Sequence, residues 1–372
     1  MKSPTLRLGP LPPIRVSPGT LVTVLILAVI IHPGLARGGT TDPLTPILLS
    51  LGIALFMIVS VLVHESAHAL SARAFGATVD HIALTLWGGH TQYRGEALGA
   101  LPSLVISLSG PISNGVLAAL TAGAASLSEP GSSAAVFWGL SSWLNIALAL
   151  FNLLPGLPMD GGRALESLLS GVLRNPLLGT RITAWIGRGI AVLVVVFPLV
   201  RIVRADGAGT LSLLTVLWAV LIAGMLWQGA SRALESANLS HRVDSLDAES
   251  LAHPMRIVPP SRPLAELGTT GDLDDVLILD PAPPGSGHIG SAYRIDPVAA
   301  AAVPADRRAA TPVSAVAGSV GPIGRLDASL RGNALVSVML ARPMPGYLVT
   351  DAEGAVHGVI MSADVNALLR GR

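Results

Sequence analysis

Leu55-Phe56-Met57-Ile58-Val59-Ser60-Val61-Leu62-Val63-His64-Glu65-Ser66-Ala67-His68-Ala69-Leu70 places three ionisable side chains inside one apolar run. The run extends from Pro46 to Phe75, and about 20 apolar residues suffice to cross a bilayer as helix. In a helix, positions i and i+4 stack on one face. His64 and His68 therefore point the same way and can hold one metal ion through ring nitrogens, while Glu65 can reach a water as general base. Chance alone gives on the order of 0.005 matches to H-E-x-x-H in a chain of this composition. Ionisable groups at mid-span cost about 2.5–3.5 kcal/mol each, so three in five residues need a compensating partner. The plainer reading, a span end where these groups are merely wet, leaves the spacing unexplained.

The rest of the composition agrees with a membrane setting. The chain has 372 residues, 51% of them hydrophobic and 13% charged, against about 25% charged in average soluble domains. Its mean hydropathy is +0.63. A net charge of +1 gives no reason to expect a nucleic-acid partner. There is no cysteine, which excludes disulfides, thiolate metal sites and a cysteine nucleophile, so a metal must use His, Asp, Glu or water. No secretory signal is expected, because the first apolar run follows a Pro-rich start and lacks a small-residue cleavage site.

Six apolar runs are read as spans: Leu21–Leu35, Pro46–Phe75, Leu98–Leu127, Ala134–Leu157, Ile182–Val203 and Leu211–Ala233. Between the second and third, Ala77–Arg94 interleaves Val79, Ile82, Leu84, Leu86 and Trp87 with polar residues before Gly88-Gly89. It reads as a β-hairpin or re-entrant piece, which must line a protein or water cavity because open strands cannot face lipid. Lys2, Arg7 and Arg15, then Arg163, Arg174 and Arg181, then Arg232 and Arg242 fall on one side if the spans alternate; Arg201 and Arg204 fall on the other. The balance predicts both termini in the cytoplasm.

From about Asp244 the pattern becomes that of a soluble domain, with strand, turn, strand, helix stated twice, in Leu251–Ala302 and Pro312–Leu369. The expected architecture is an α-helical polytopic membrane protein of about six transmembrane helices with a small embedded β-hairpin or sheet, followed by a soluble α/β domain. Its divisions are an N-terminal segment over 1–20, a transmembrane domain over 21–240 and a tail over 245–372.

Two histidines leave a catalytic zinc one protein ligand short. Asp160 is the best candidate: it ends an apolar run, follows Pro155 and Pro158, and precedes Gly161-Gly162, which would let the helix break. The plainer reading makes it the N-cap of a helix from Gly161. His90 and Glu96 are the other candidates, and both fit better as polar residues of the hairpin. Asn114 and Asn152 are neutral amides in apolar spans. Either could donate to an oxyanion or a substrate carbonyl, or bond between helices. The bland role fits Asn114 better, and the two balance for Asn152.

These residues resemble the site-2 proteases, intramembrane zinc metalloproteases. The resemblance rests on His64-Glu65-x-x-His68, then Gly110-Pro111-x-x-Asn114, then Asn152-x-x-Pro155-x-x-Pro158-x-Asp160-Gly161-Gly162, in the family's order over roughly 46–165. It implies one Zn2+ held by His64, His68 and Asp160, Glu65 as the base, and Asn152 helping to bind substrate or stabilise the oxyanion. It also implies that a glycine-paired strand at Trp87-Gly88-Gly89 receives substrate as an added strand. The expected substrate is a single-span membrane protein such as an anti-sigma factor or membrane-bound regulator.

The tail is similar to a tandem cystathionine-β-synthase (CBS) module. Gly358-Val359-Ile360-Met361-Ser362-Ala363-Asp364 follows the module's glycine-to-aspartate pattern, with Met361 where Thr or Ser is usual; the first copy reads Gly290-Ser291-Ala292-Tyr293-Arg294-Ile295-Asp296. The missing hydroxyl weakens the expectation of an adenosine nucleotide, and a structural or homodimerising tail fits equally well. A second function class is a metal-ion transporter or channel with a regulatory tail, since intramembrane His, Glu and Asp also mark ion paths. It needs a continuous polar path, and spans one, five and six offer few ionisable side chains. A proteolytically inactive, substrate-binding relative is a third possibility, and the intact Glu65 argues against it.

Overall fold

The computed structural model describes every residue except 1–4, 8, 10, 38–41, 86–87, 95–98, 205–209, 268–272, 284 and 372. The chain divides into two compact units, Met1–Ala237 and Asn238–Arg372.

The first unit opens with strands β1 (Thr5–Leu6) and β2 (Ile14–Val16), then helices α1 (Pro18–Ala36) and α2 (Leu44–Ala74). Strands β3 (Thr78–Thr85) and β4 (Gly88–Arg94) follow, then α3 (Ala100–Ser126), α4 (Ser133–Asn152), α5 (Asp160–Leu173), α6 (Pro176–Arg204) and α7 (Thr210–Asp244). Six helices are long and apolar enough to cross a membrane among the described residues: α1, α2, α3, α4, α6 and, from Leu214, α7. They agree with the six apolar runs, and the protein is a multi-pass membrane protein.

The fourth span differs from its sequence reading. It stops at Asn152, and the chain turns through 153–159 into α5, an amphipathic helix that the apolar pattern does not announce. The hairpin is present as β3 and β4, paired antiparallel, but it is not alone. β2 lies parallel on β3, with Ile14 opposite Ile82 and Val16 opposite Leu84. The stretch 1–20, read as a segment apart, thus contributes two strands to a four-stranded sheet of order β1-β2-β3-β4. Ile14, Val79, Ile82 and Leu84 bury against Ala69 and Ala72 of α2 and Ile106 of α3, which presses the sheet onto the half of α2 that carries the histidines.

The second unit contains α8 (Ala248–Leu251), β5 (Arg256–Val258), β6 (Val276–Pro281), β7 (Gly290–Ile295), α9 (Pro297–Ala301), β8 (Ala317–Asp327), α10 (Gly332–Ala341), β9 (Gly346–Thr350), β10 (Val356–Met361) and α11 (Ser362–Arg370). They form one six-stranded sheet of order β10-β9-β8-β7-β6-β5. β5 with β6 and β8 with β9 pair parallel, while β6 with β7 and β9 with β10 pair antiparallel. The repeat is therefore real in the backbone. Alternate residues of a strand face opposite sides: Val276 and Ile278 join one core, Tyr347 and Val349 a second, and Leu277 and Leu348 meet in a third on the opposite face.

One correspondence within that repeat is corrected. Asp296 is the N-cap of α9 and accepts from the Val298 and Ala299 amides, whereas Asp364 is the third residue of α11, whose N-cap is Met361. The two aspartates that sequence alignment pairs are offset by three residues. Gly358 has φ +154, and a Cβ there would overlap the carbonyl oxygen of His253, so the bulge in β10 requires glycine.

Candidate metal centre

The sequence turns the chain sharply after α4 and so delivers Asp160. The turn contains Pro155 and Pro158, the latter after a cis peptide bond. Gly161 and Gly162 lie inside the first turn of α5 rather than breaking a helix. A Cβ on Gly161 would overlap the Leu153 carbonyl, and one on Gly162 would overlap the backbone of Gly156. The glycine pair thus permits close approach of α5 to the preceding turn. Asp160 is the first helical residue, and the N-cap, Met159, makes no side-chain cap bond. The carboxylate of Asp160 is spent elsewhere, on the two histidines.

His64 Nε2 lies 3.0 Å and His68 Nε2 3.3 Å from Asp160 Oδ2, and the two Nε2 atoms are 3.1 Å apart. The opposite ring nitrogens decide where the protons are. His68 Nδ1 faces the Ile106 carbonyl at 2.7 Å; a carbonyl only accepts, so Nδ1 carries the hydrogen and Nε2 of the neutral ring presents a bare lone pair. His64 Nδ1 faces Asn114 Oδ1 at 2.5 Å. The Asn114 amide is oriented by donating to Asn145 Oδ1 at 3.0 Å, and Asn145 donates in turn to the Ser141 carbonyl at 2.9 Å and to Ser60 Oγ at 3.1 Å. The Ser141 carbonyl fixes the direction of the whole chain, and His64 Nε2 is also bare.

With both rings neutral in these tautomers, two lone pairs and a carboxylate oxygen converge. Such a set repels itself unless a cation sits among it. A tetrahedral ion with bonds of about 2.0–2.1 Å places its ligand atoms about 3.3 Å apart, close to the 3.0–3.3 Å found here. Gly110 of α3 leaves the space: a Cβ there would overlap His68 Nε2 and lie 2.6 Å from His64 Nε2. The donor set and the space both fit Zn2+. Among the described residues, His64, His68 and Asp160 form the one group of three or more His, Asp or Glu side chains able to share a metal ion. No second such group continues an ion path through the described spans.

A cavity of about 220 Å³ opens on this group, lined by Glu65, Gly89, Thr91, Asn152 and Arg163 among others. Glu65 is buried at 7% exposure. Thr91 Oγ1 donates to its Oε2 at 2.8 Å, and a Cβ on Gly89 would come within 2.5 Å of its Cγ. Asn152 donates one amide proton to the Leu148 carbonyl at 3.1 Å, and its second amide proton is left for the cavity. His90 lines the cavity but stays outside the His64–His68–Asp160 group.

Asn114 does not meet the expectation of a substrate contact. It is 0% exposed, with its oxygen on His64 and its nitrogen on Asn145. Gly88 (φ +116) and Gly89 begin β4 at the hairpin turn, while Trp87, Leu86 and Glu96 lie outside the described residues. Thr91 and Asn145 were not singled out in the sequence. Asn145 carried a signal, being a third amide in an apolar span; Thr91 is one hydroxyl in a polar strand and carried none. Beside the site, Arg15 Nη1 donates to His81 Nε2 at 3.4 Å. Burial, then the Arg15 guanidinium and His90, hold His81 below the ordinary histidine value, against an opposing pull from Asp80.

Residues 126–196 match the family model for peptidase family M50, a stretch that contains Asn152 and Asp160. The candidate zinc metalloprotease sll0528 of Synechocystis sp. is 30% identical over 255 residues, which are 67% of this chain and 64% of that protein. The chain spans less than two thirds of the length of the curated relatives it matches. Among solved structures, the site-2 protease from Methanocaldococcus jannaschii has a TM-score of 0.42 and 23% identity over 62% of this chain and 95% of its own. The CBS domain of a bacterial CNNM/CorC family Mg2+ transporter has a TM-score of 0.27 and 14% identity, over 41% of this chain and 93% of its own.

Proposed function

As the membrane unit belongs to peptidase family M50, the site-2 proteases, we propose that the protein is a zinc-dependent endopeptidase that cuts a peptide bond within the transmembrane segment of another membrane protein. The observation that carries this reading is the convergence of His64, His68 and Asp160 beside Glu65 in a cavity flanked by membrane spans. His64, His68 and Asp160 are the ligands, one Zn2+ per chain. A zinc ion there supplies Lewis acidity to the scissile carbonyl and acidity to a water. Glu65 takes the proton of the attacking water and passes it to the leaving amine. The free amide proton of Asn152 meets the oxygen on which charge develops.

A substrate helix hides its carbonyls in its own hydrogen bonds, so it must unwind. β4 is the last strand of its sheet, with one edge unpaired among the described strands; beginning at Gly88-Gly89, it offers that edge to an extended segment. The arginine bias supports a cytoplasmic placement of both termini and of the 245–372 tail. A regulatory or dimerising role for that tail, and an anti-sigma factor or membrane-bound regulator as substrate, complete the reading.

Two variants test it. Glu65→Gln should fold, keep one zinc per chain and leave a single-span model peptide uncut; full cleavage removes the proposal. Asp160→Ala should lose the equivalent of zinc that wild type retains on purification.

A further inference from the structure

Glu65 has two carboxylate oxygens, and a base that abstracts a proton efficiently presents one of them in a fixed direction. Its neighbours at i±4 on α2, Val61 and Ala69, offer no hydrogen-bonding side chain. The orienting contact comes from the sheet. Residues 89 and 91 of β4 share one face of the strand, and both meet Glu65: Gly89 by leaving room for the side chain, Thr91 by a hydrogen bond. Thr91 Oγ1 lies 2.8 Å from Glu65 Oε2 and 3.0 Å from the Glu65 carbonyl. A hydroxyl has one proton to give, and a bond to an ionised carboxylate is the stronger of the two choices.

We propose that Thr91 is a positioning residue for the base: its hydroxyl holds Oε2 of Glu65, which leaves Oε1 as the oxygen that receives the proton from water. The backbone carbonyl of Glu65 gives the hydroxyl an alternative acceptor. The same strand that offers its edge to substrate thereby sets the direction of the base.

This inference rests on Glu65 as the base, so Glu65→Gln is the control. Purified wild type, Thr91→Val and Thr91→Ser are compared on a single-span membrane peptide that wild type cuts. Thr91→Val, which keeps the shape and removes the proton, should retain one zinc per chain, the wild-type melting temperature and KM, and lose about 10–100-fold in kcat. Thr91→Ser, which restores the proton without the methyl, should return kcat to within about threefold of wild type. Wild-type kcat in Thr91→Val alongside an inactive Glu65→Gln overturns the inference and spares the proposed function. So does a Thr91→Ser enzyme as slow as Thr91→Val, a rise in KM at unchanged kcat, or loss of zinc from Thr91→Val. An active Glu65→Gln enzyme removes both.

Discussion

Asn114 Oδ1 accepts the Nδ1 proton of His64 at 2.5 Å from a position with no solvent exposure, on the helix after the one that carries the histidine. The bond selects the tautomer in which Nε2 is free and turns the ring toward Asp160. Partners of this kind tune a ligand they never replace, and their loss typically weakens metal binding by about 10–100-fold. Asn114→Leu should therefore weaken zinc binding by that factor in a chelator competition. Equal affinity in Asn114→Leu and wild type would show that the ring is held by packing alone.

Gly110 tests the space rather than the ligands. A Cβ at that position overlaps His68 Nε2, so Gly110→Ala should lose about 100-fold or more in zinc affinity. Gly115 lies on the same helix with nothing within 4 Å of its would-be Cβ, and Gly115→Ala should bind as wild type does. Zinc content measured on both purified variants decides the matter, and a zinc-replete Gly110→Ala enzyme contradicts the geometry.

Asp160→Asn removes charge while keeping size. If the carboxylate is the third ligand, the variant should retain less than about a tenth of the wild-type zinc after dialysis against a weak chelator. Retention of a full equivalent would mean that two histidines and water suffice.

His81 gives a pH prediction outside the spans. Its pKa is lowered from 6.5 in the folded protein, so below 6.5 the unfolded chain binds more protons than the folded one. Stability then falls as the pH drops through that range and is fully present above it. Arg15, His90 and Asp80 are the charged or titratable groups that act on His81, the last opposing the other two. Protection factors of the β3 amides, taken against the chemical exchange rate, should therefore fall between about pH 6.5 and 5, and His81→Gln should flatten that dependence. An exchange rate that simply tracks the chemical rate across that range would exclude the effect.

The sequence was most legible where apolar length and polar cost are both extreme. Six runs gave six helices, and His64, Glu65 and His68 stood out because membrane burial makes each of them expensive. It was least legible where backbone approach decides the structure. Gly161 and Gly162 suggested a break and instead allow α5 to pack on the turn before it. α5 itself is too amphipathic to register as a span. β2 joins β3 across α1 and α2, a long-range pairing that no local pattern in Ile14–Val16 announces. Asn114 and Asn145 were visible as intramembrane amides, but their partners depend on which helix faces which.

Ninety-six residues separate His64 from Asp160, and that distance has a meaning for biosynthesis. The ribosome delivers the two histidines and the base with the second span, while the carboxylate waits for α5, after two further spans have been made. A nascent chain halted before that point holds a base and two imidazoles with no third ligand to close the centre. On the proposed ligand set, the metal centre is therefore incomplete until α5 has been made. It closes only when α5 has folded back against the turn at Gly156.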